Sequence, residues 1–388
     1  MRIGLTGITT CLLIITLCVG CVSEAGNGQE VTKISDPVII HVPQANNRFG
    51  SLDDFFAEPS YIPLQTTPES LIGSINRLYF FDGRIYVLDK KQNAVLIFDQ
   101  SGAFLSKVQR LGRGPGEYQS VMDFTIDRKQ KHLLLYADRP YKLLTFEMDG
   151  TFLEETRVVG LFFNIAMAND RVQVFRKTDK ELVSELDHGA VYRTLIPFDA
   201  VDLYFRDFFI PYPSLTTDKK VNILPPYSDT VYTYTGDSLA VSYVLDFGER
   251  RRQLGKEIER KTSYQDVYTK AMEEDLGFPV FGFRESDRFV SFTFGLNNIV
   301  IYDKTSKEAY TTKVFRKEGN PIWFKDYFAH DGEGDFLVSI CQPTDFKQQV
   351  EEYLKKEGDE GMIPAEVSGV ASGISETDNP VLVVYTFK

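Results

Sequence analysis

Asp331, Glu333 and Asp335 alternate with glycines in Asp331-Gly-Glu-Gly-Asp335. Alternating carboxylates of this kind can supply oxygen ligands to calcium. The run lacks a glycine at the sixth loop position and a later bidentate glutamate, so a hairpin turn is the favoured reading and a metal site the alternative. A sharper signal is Leu111-Gly-Arg-Gly-Pro-Gly-Glu-Tyr118. Glycine-rich loops cradle phosphate when they join a strand to a helix N-terminus. Here the next segment, Val121-Met-Asp-Phe-Thr-Ile-Asp127, reads as a strand, which argues against phosphate. A tight turn with positive φ at one or more glycines is expected instead. Arg113 and Glu117 then either pair across the turn or, with Tyr118, face a ligand.

Other reactive types are sparse. His41, His132, His188 and His330 are not spaced as metal ligands. Cys341 ends the strand-like Phe336-Leu-Val-Ser-Ile-Cys341 and reads as a small core residue. There is no Gly-x-Ser-x-Gly elbow for a serine nucleophile. Tyr212, Tyr227, Tyr232 and Trp323 could stack on a sugar, although aromatics in strands commonly fill cores.

The elements that must position these residues repeat. Tyr86-Val-Leu-Asp89, Val95-Leu-Ile-Phe-Asp-Gln-Ser-Gly102 and Phe104-Leu105 return as Leu135-Tyr-Ala-Asp138, Leu143-Leu-Thr-Phe-Glu-Met-Asp-Gly150 and Phe152-Leu153. Each copy is strand, Asp turn, strand, Gly turn, strand, at an offset of about 48 residues, the length of a propeller blade. Two clear blades are expected at 67–108 and 117–156. A degenerate third, without the glycine turn, is expected at 157–205. Three more follow through Val241–Phe247, Phe289–Asp303 and Pro380–Phe387, giving six, or seven if 157–228 holds two. Two helical insertions are expected, at 249–275 and 345–357. In the latter, Phe346, Val350, Tyr353 and Leu354 recur with helical period. A short helix is expected at 51–57 and a long loop at 358–379.

The first residues read as an address. A basic Arg2 precedes an apolar run that ends Leu17-Cys18-Val19-Gly20-Cys21. A small residue before cysteine at that point resembles the bacterial lipobox, which implies lipidation of Cys21. The expected organisation is a signal peptide at 1–20, a flexible tether at 21–35 and one propeller domain at 36–388. The net charge of −12 and the absence of basic runs exclude nucleic acid as an expected partner.

The glycine loop, the paired Asp-turn and Gly-turn strands, Tyr61-Ile-Pro-Leu-Gln-Thr-Thr-Pro-Glu-Ser-Leu-Ile-Gly73 and Asp378-Asn-Pro-Val-Leu-Val-Val-Tyr385 together resemble the six-bladed, NHL-repeat-like β-propeller lipoproteins of Gram-negative bacteria. The resemblance implies an all-β propeller and an envelope location, the outer membrane before the inner. It implies no reaction. The expected function is a membrane-anchored, non-catalytic binding module for a protein, peptide or glycan. The alternative is a propeller-type hydrolase or lyase with a metal in the central funnel. No cofactor is expected, apart from calcium if the acidic run at 331–335 binds it.

Overall fold

The computed structural model describes residues 36–45, 55–176, 181–197, 204–205, 215–217, 220–225, 227–236, 238–260, 263–357 and 363–388. The signal segment, Cys21, the tether and Tyr212 lie outside them. So does most of the helix expected at 51–57. Its described residues Phe55 and Phe56 form a turn and a bridge to Phe387 instead.

Six sheets make a six-bladed β-propeller. Blade one runs outward from Arg77–Phe81 through Arg84–Asp89 and Ala94–Asp99 to Phe104–Val108. The innermost strands of blades two to six are Ser120–Asp127, Asn164–Ala168, Leu215–Thr217, Val280–Glu285 and Tyr327–Phe328. The stretch 157–228 holds one whole blade and the inner half of the next, so the count is six and not seven. Blade six is built from both ends of the chain. Its third strand is Val381–Thr386, and its outermost strand, Ser60–Pro63, comes from the N-terminal side and pairs antiparallel with it. A further strand, Val38–His41, adds in parallel to the outer edge of blade four.

The repeat has a local cause. After Ala94–Asp99 the Asp99 carboxylate accepts the amides of Ser101 (2.8 Å) and Ala103 (3.0 Å), and Gly102 takes φ 88°. A Cβ on Gly102 would lie 2.2 Å from the Pro63 carbonyl. The glycine thus makes the turn and admits the outer strand of blade six. Blade three does have a glycine turn, contrary to expectation. It is the two-residue His188-Gly189, too short to match the Asp-x-x-Gly spacing.

Strand faces of adjacent blades form the core. Tyr79, Tyr86 and Ile97 of blade one pack with Phe124, Leu135 and Phe146 of blade two. Each such side chain contributes about 1.5–3 kcal/mol on burial.

Antiparallel strands alternate direction, so connections after the second and fourth strands of every blade emerge on one face, the loop face. Connections after the first and third strands emerge on the other, the hairpin face. The four helices with described bounds stand on the loop face. The insertion expected as one helix is two, α1 (Glu249–Glu259) and α2 (Tyr264–Glu273). α3 (Pro343–Glu357) buries Phe346, Val350 and Tyr353 as its period predicts. The stretch expected as a loop contains α4 (Ala365–Gly373). Its glycines and serines are weak helix formers, and tertiary contact supplies the order: Glu366 accepts the Tyr61 amide at 3.1 Å. Among the described residues no helix is long and apolar enough to cross a membrane.

Candidate functional site at the propeller axis

Arg77 heads the innermost strand of blade one and is fully buried. Its five N–H groups are all used. Nε and Nη2 reach the two carboxylate oxygens of Asp331 at 2.8 and 3.1 Å, a bidentate pair. Nη1 donates to Asp123 (2.5 Å) and to the Ile165 carbonyl (2.8 Å), and Nη2 also donates to the Leu215 carbonyl (3.2 Å). The carboxylates are served from elsewhere too. Asp123 accepts the Ile165 amide (2.8 Å), and Asp331 accepts the Thr217 amide (2.5 Å). One guanidinium therefore joins the innermost strands of blades one to four to the segment that leaves blade six. The axis is filled by an ion-paired side chain.

Burial opposes the Arg77 charge, but Asp123 and Asp331 outweigh it and strengthen its hold on the proton. Burial pushes the Asp123 carboxyl up against the pull of Arg77 and Lys90. Burial also pulls the Lys90 ammonium down, while Asp123 supports it. Both axial acids therefore already face a cation. Among the described residues no three His, Cys, Asp or Glu side chains converge as a metal site.

The run 331–335 lies, as expected, in the hairpin loop between the antiparallel strands Tyr327–Phe328 and Phe336–Cys341, and Asp331 reaches the hub because that loop leans onto blade one. Asp331 and Gly332 pair in parallel with Tyr79 and Phe80 on the inner edge of blade one. The three acids part company. Asp331 meets Arg77. Glu333 turns to the hairpin face, where it binds Arg128 (3.1 Å) and accepts the Asp82 amide (3.2 Å). Asp335 sits beyond it, its backbone carbonyl accepting the Phe387 amide at 2.9 Å.

Arg113 stands exposed in its loop. Glu117 folds back, accepting the Gly114 amide at 2.9 Å. It thus caps the turn, and among the described residues no ion pair joins it to Arg113. Tyr118 is fully buried and its hydroxyl donates to the Asn93 carbonyl at 2.9 Å, so it cannot face a ligand. Positive φ belongs to Gly116 (72°). Cys341 is buried and its thiol is pushed up to about 12, an inert core residue. Tyr227 is core, whereas Trp323 is partly exposed with Arg316 stacked on its ring at 4.6 Å.

His330 is one of the four histidines that lack metal-ligand spacing in sequence. It is fully buried, stacked on Phe336 (4.5 Å between centroids) and edge-on to Phe80 (5.0 Å). Among the described residues neither ring nitrogen has a hydrogen-bond partner. Burial holds its pKa well below the ordinary histidine value, and nearby Arg284 adds to the effect.

The hairpin face is laced by ion pairs. Lys131 of blade two meets Asp82 of blade one (2.9 Å), and Lys129 meets Asp170 of blade three (2.6 Å). Among the described residues three cavities open there, two of them larger than the third. One of the larger two, of about 290 Å³, lies between blades six and one, lined by Ile62, Phe80, Phe336 and Val384 with Arg84 and Glu333 at its rim. The other, of about 450 Å³, is lined by Asp127, His132, Thr145, Glu154, Met167 and Asp170.

One solved structure shares this fold, and others are less similar. A "Putative exported protein" from Bacteroides fragilis is 17% identical, with a TM-score of 0.68 over 90% of this chain and 99% of its own. A member of the DUF4221 family from Bacteroides vulgatus is 10% identical, with a TM-score of 0.46 over 86% of this chain and 97% of its own. A catalytically inactive virginiamycin B lyase from Staphylococcus aureus is 13% identical, with a TM-score of 0.42 over 72% of this chain and 81% of its own. No curated protein sequence matches. The profile of the domain of unknown function DUF4934 matches residues 37–386, nearly the whole described body, and the chain belongs to that family.

Proposed function

We propose that this chain is a non-catalytic binding module of the cell envelope, anchored to a membrane by lipid on Cys21 and displaying its loop face to a protein, peptide or glycan. The observation that carries the reading is the sealed axis. Arg77 pairs with both buried axial carboxylates, so neither of these two acids is free for funnel chemistry, while the long insertions gather on one face. Rigid scaffolds that present loops on one face are suited to recognition. Arg113, exposed there, is a ligand-facing candidate, and the outer side of Trp323 is another. An exported protein of the same fold is in keeping with an envelope location, with the outer membrane the preferred site.

The test immobilises residues 22–388, which include every described strand, and offers envelope extracts, peptidoglycan fragments and lipopolysaccharide glycans. Saturable retention of a ligand recovered unchanged is expected. Conversion of an offered ligand to product would overturn the non-catalytic reading.

A further inference from the structure

We infer that the loop-face rim of blade two is a contact surface for an anionic lipid bilayer. Three connections meet there. Leu111 bridges to Tyr118 within the glycine loop, and the Gln119 amide donates to the Arg139 carbonyl at 2.8 Å. The Val158 amide donates to the Tyr141 carbonyl at 3.1 Å, and the Tyr136 hydroxyl donates to the Gly160 carbonyl at 2.9 Å. The glycine loop, the turn at Pro140 and the 158–161 connection are thus tied side by side.

Their tips carry large apolar side chains in water. Leu111 is 53% exposed, Tyr141 43%, Val159 75% and Leu161 39%. Single exposed apolar residues are ordinary, but four on adjoining loops mark an interaction surface. Interleaved with them are Arg110, Arg113, Arg139 and Arg157, all exposed. The three segments 109–119, 138–142 and 157–161 hold five basic and two acidic residues, in a chain whose net charge is −12; Lys142 is buried and paired with Glu155, which also accepts the Gly116 amide, so the outward charge is that of the four arginines. Of the two acids, Glu117 is turned back into its own loop. The rim is therefore a cationic, apolar-tipped island on an acidic body.

That combination selects the occupant. Arginine side chains near a bilayer gain from anionic headgroups, and tyrosine and aliphatic tips settle at the boundary between headgroups and acyl chains. The apolar residues project from separate loop tips and do not line a groove, as a membrane surface requires and a folded peptide ligand does not. The inference stands on the rim alone and does not depend on lipidation of Cys21.

The experiment floats residues 22–388, which carry neither the signal segment nor the lipid, with vesicles of phosphatidylglycerol and phosphatidylethanolamine, and with phosphatidylcholine alone. Binding to the anionic vesicles, reduced by salt, is expected. Each arginine should contribute about fivefold, so Arg113→Ala with Arg139→Ala should weaken partition by at least tenfold. Val159→Ser with Tyr141→Ser should weaken it at any salt concentration. All four side chains are exposed, so melting temperatures should not change and lost binding is not lost fold. Equal flotation of the variants, or none by the parent, overturns the inference. Retention on soluble polyglutamate as strong as on vesicles would also overturn it, in favour of an acidic protein partner.

Discussion

At the scale of single residues, the molecule depends on a few polar groups placed where water is absent. Arg77→Leu would leave Asp123 and Asp331 buried without their cation. Stability should fall by about 3–5 kcal/mol, read as a lower urea midpoint. Arg77→Leu with Asp123→Leu and Asp331→Leu should recover part of that loss, because no charge then remains unpaired. Gly116 has φ 72°, and a Cβ there would lie 3.1 Å from the Phe152 ring. Gly116→Ala should cost about 1–2 kcal/mol by thermal melting, more than the same change at Gly114, whose φ is not positive. His330 gives a pH dependence. The folded state holds it neutral, so below its unfolded pKa of 6.5 protons bind preferentially to the unfolded chain. Its contribution to stability is complete above that pH and declines as pH falls below it, by about 1.4 kcal/mol per pH unit. Melts from pH 8 to 5 should show this decline, and His330→Phe should flatten it.

At the scale of elements, legibility followed locality. Blades one and two were plain because their turns are made by residues one to four apart, such as Asp99 with Ser101 and Ala103. The turn at Gly189 uses a different local solution and escaped the pattern. α4 was hidden because its order comes from Tyr61, 305 residues away from Glu366. The axial hub was invisible for the same reason, its partners lying on five separate segments. One clue was present. Arg77 precedes Leu-Tyr-Phe-Phe, and Asp123 interrupts Val-Met-Asp-Phe-Thr-Ile. A charge at a buried position of a strand needs a partner, which pattern reading does not supply. The hairpin expected at 331–335 is there, but its extra bridge to Tyr79 and Phe80 could not be read locally, because those residues belong to another blade. Deletion of residues 381–388 removes the third strand of blade six and unpairs strands on both sides. Circular dichroism of that truncation should show no cooperative melt; a folded product would refute the closure.

At the scale of the whole molecule, the two faces have different characters. Short turns tied by Lys131, Lys129 and their acids make one face compact, whereas the other bears the insertions. Cys21→Ala in the full chain should move the protein from the membrane fraction to the soluble fraction, and persistence in the membrane fraction would count against lipidation. The span of the Arg77 contacts has a further consequence, in time. Asp123 follows Arg77 by 46 residues, but Asp331 follows by 254. At roughly 5–20 residues per second, the ribosome delivers the last partner between about 13 and 50 s after the arginine. Until then the guanidinium has no closed site to enter, and the early blades stay open at their inner edges. The chain finishes as a ring only when its end meets its beginning, so an emerging polypeptide remains threadable until synthesis is almost done.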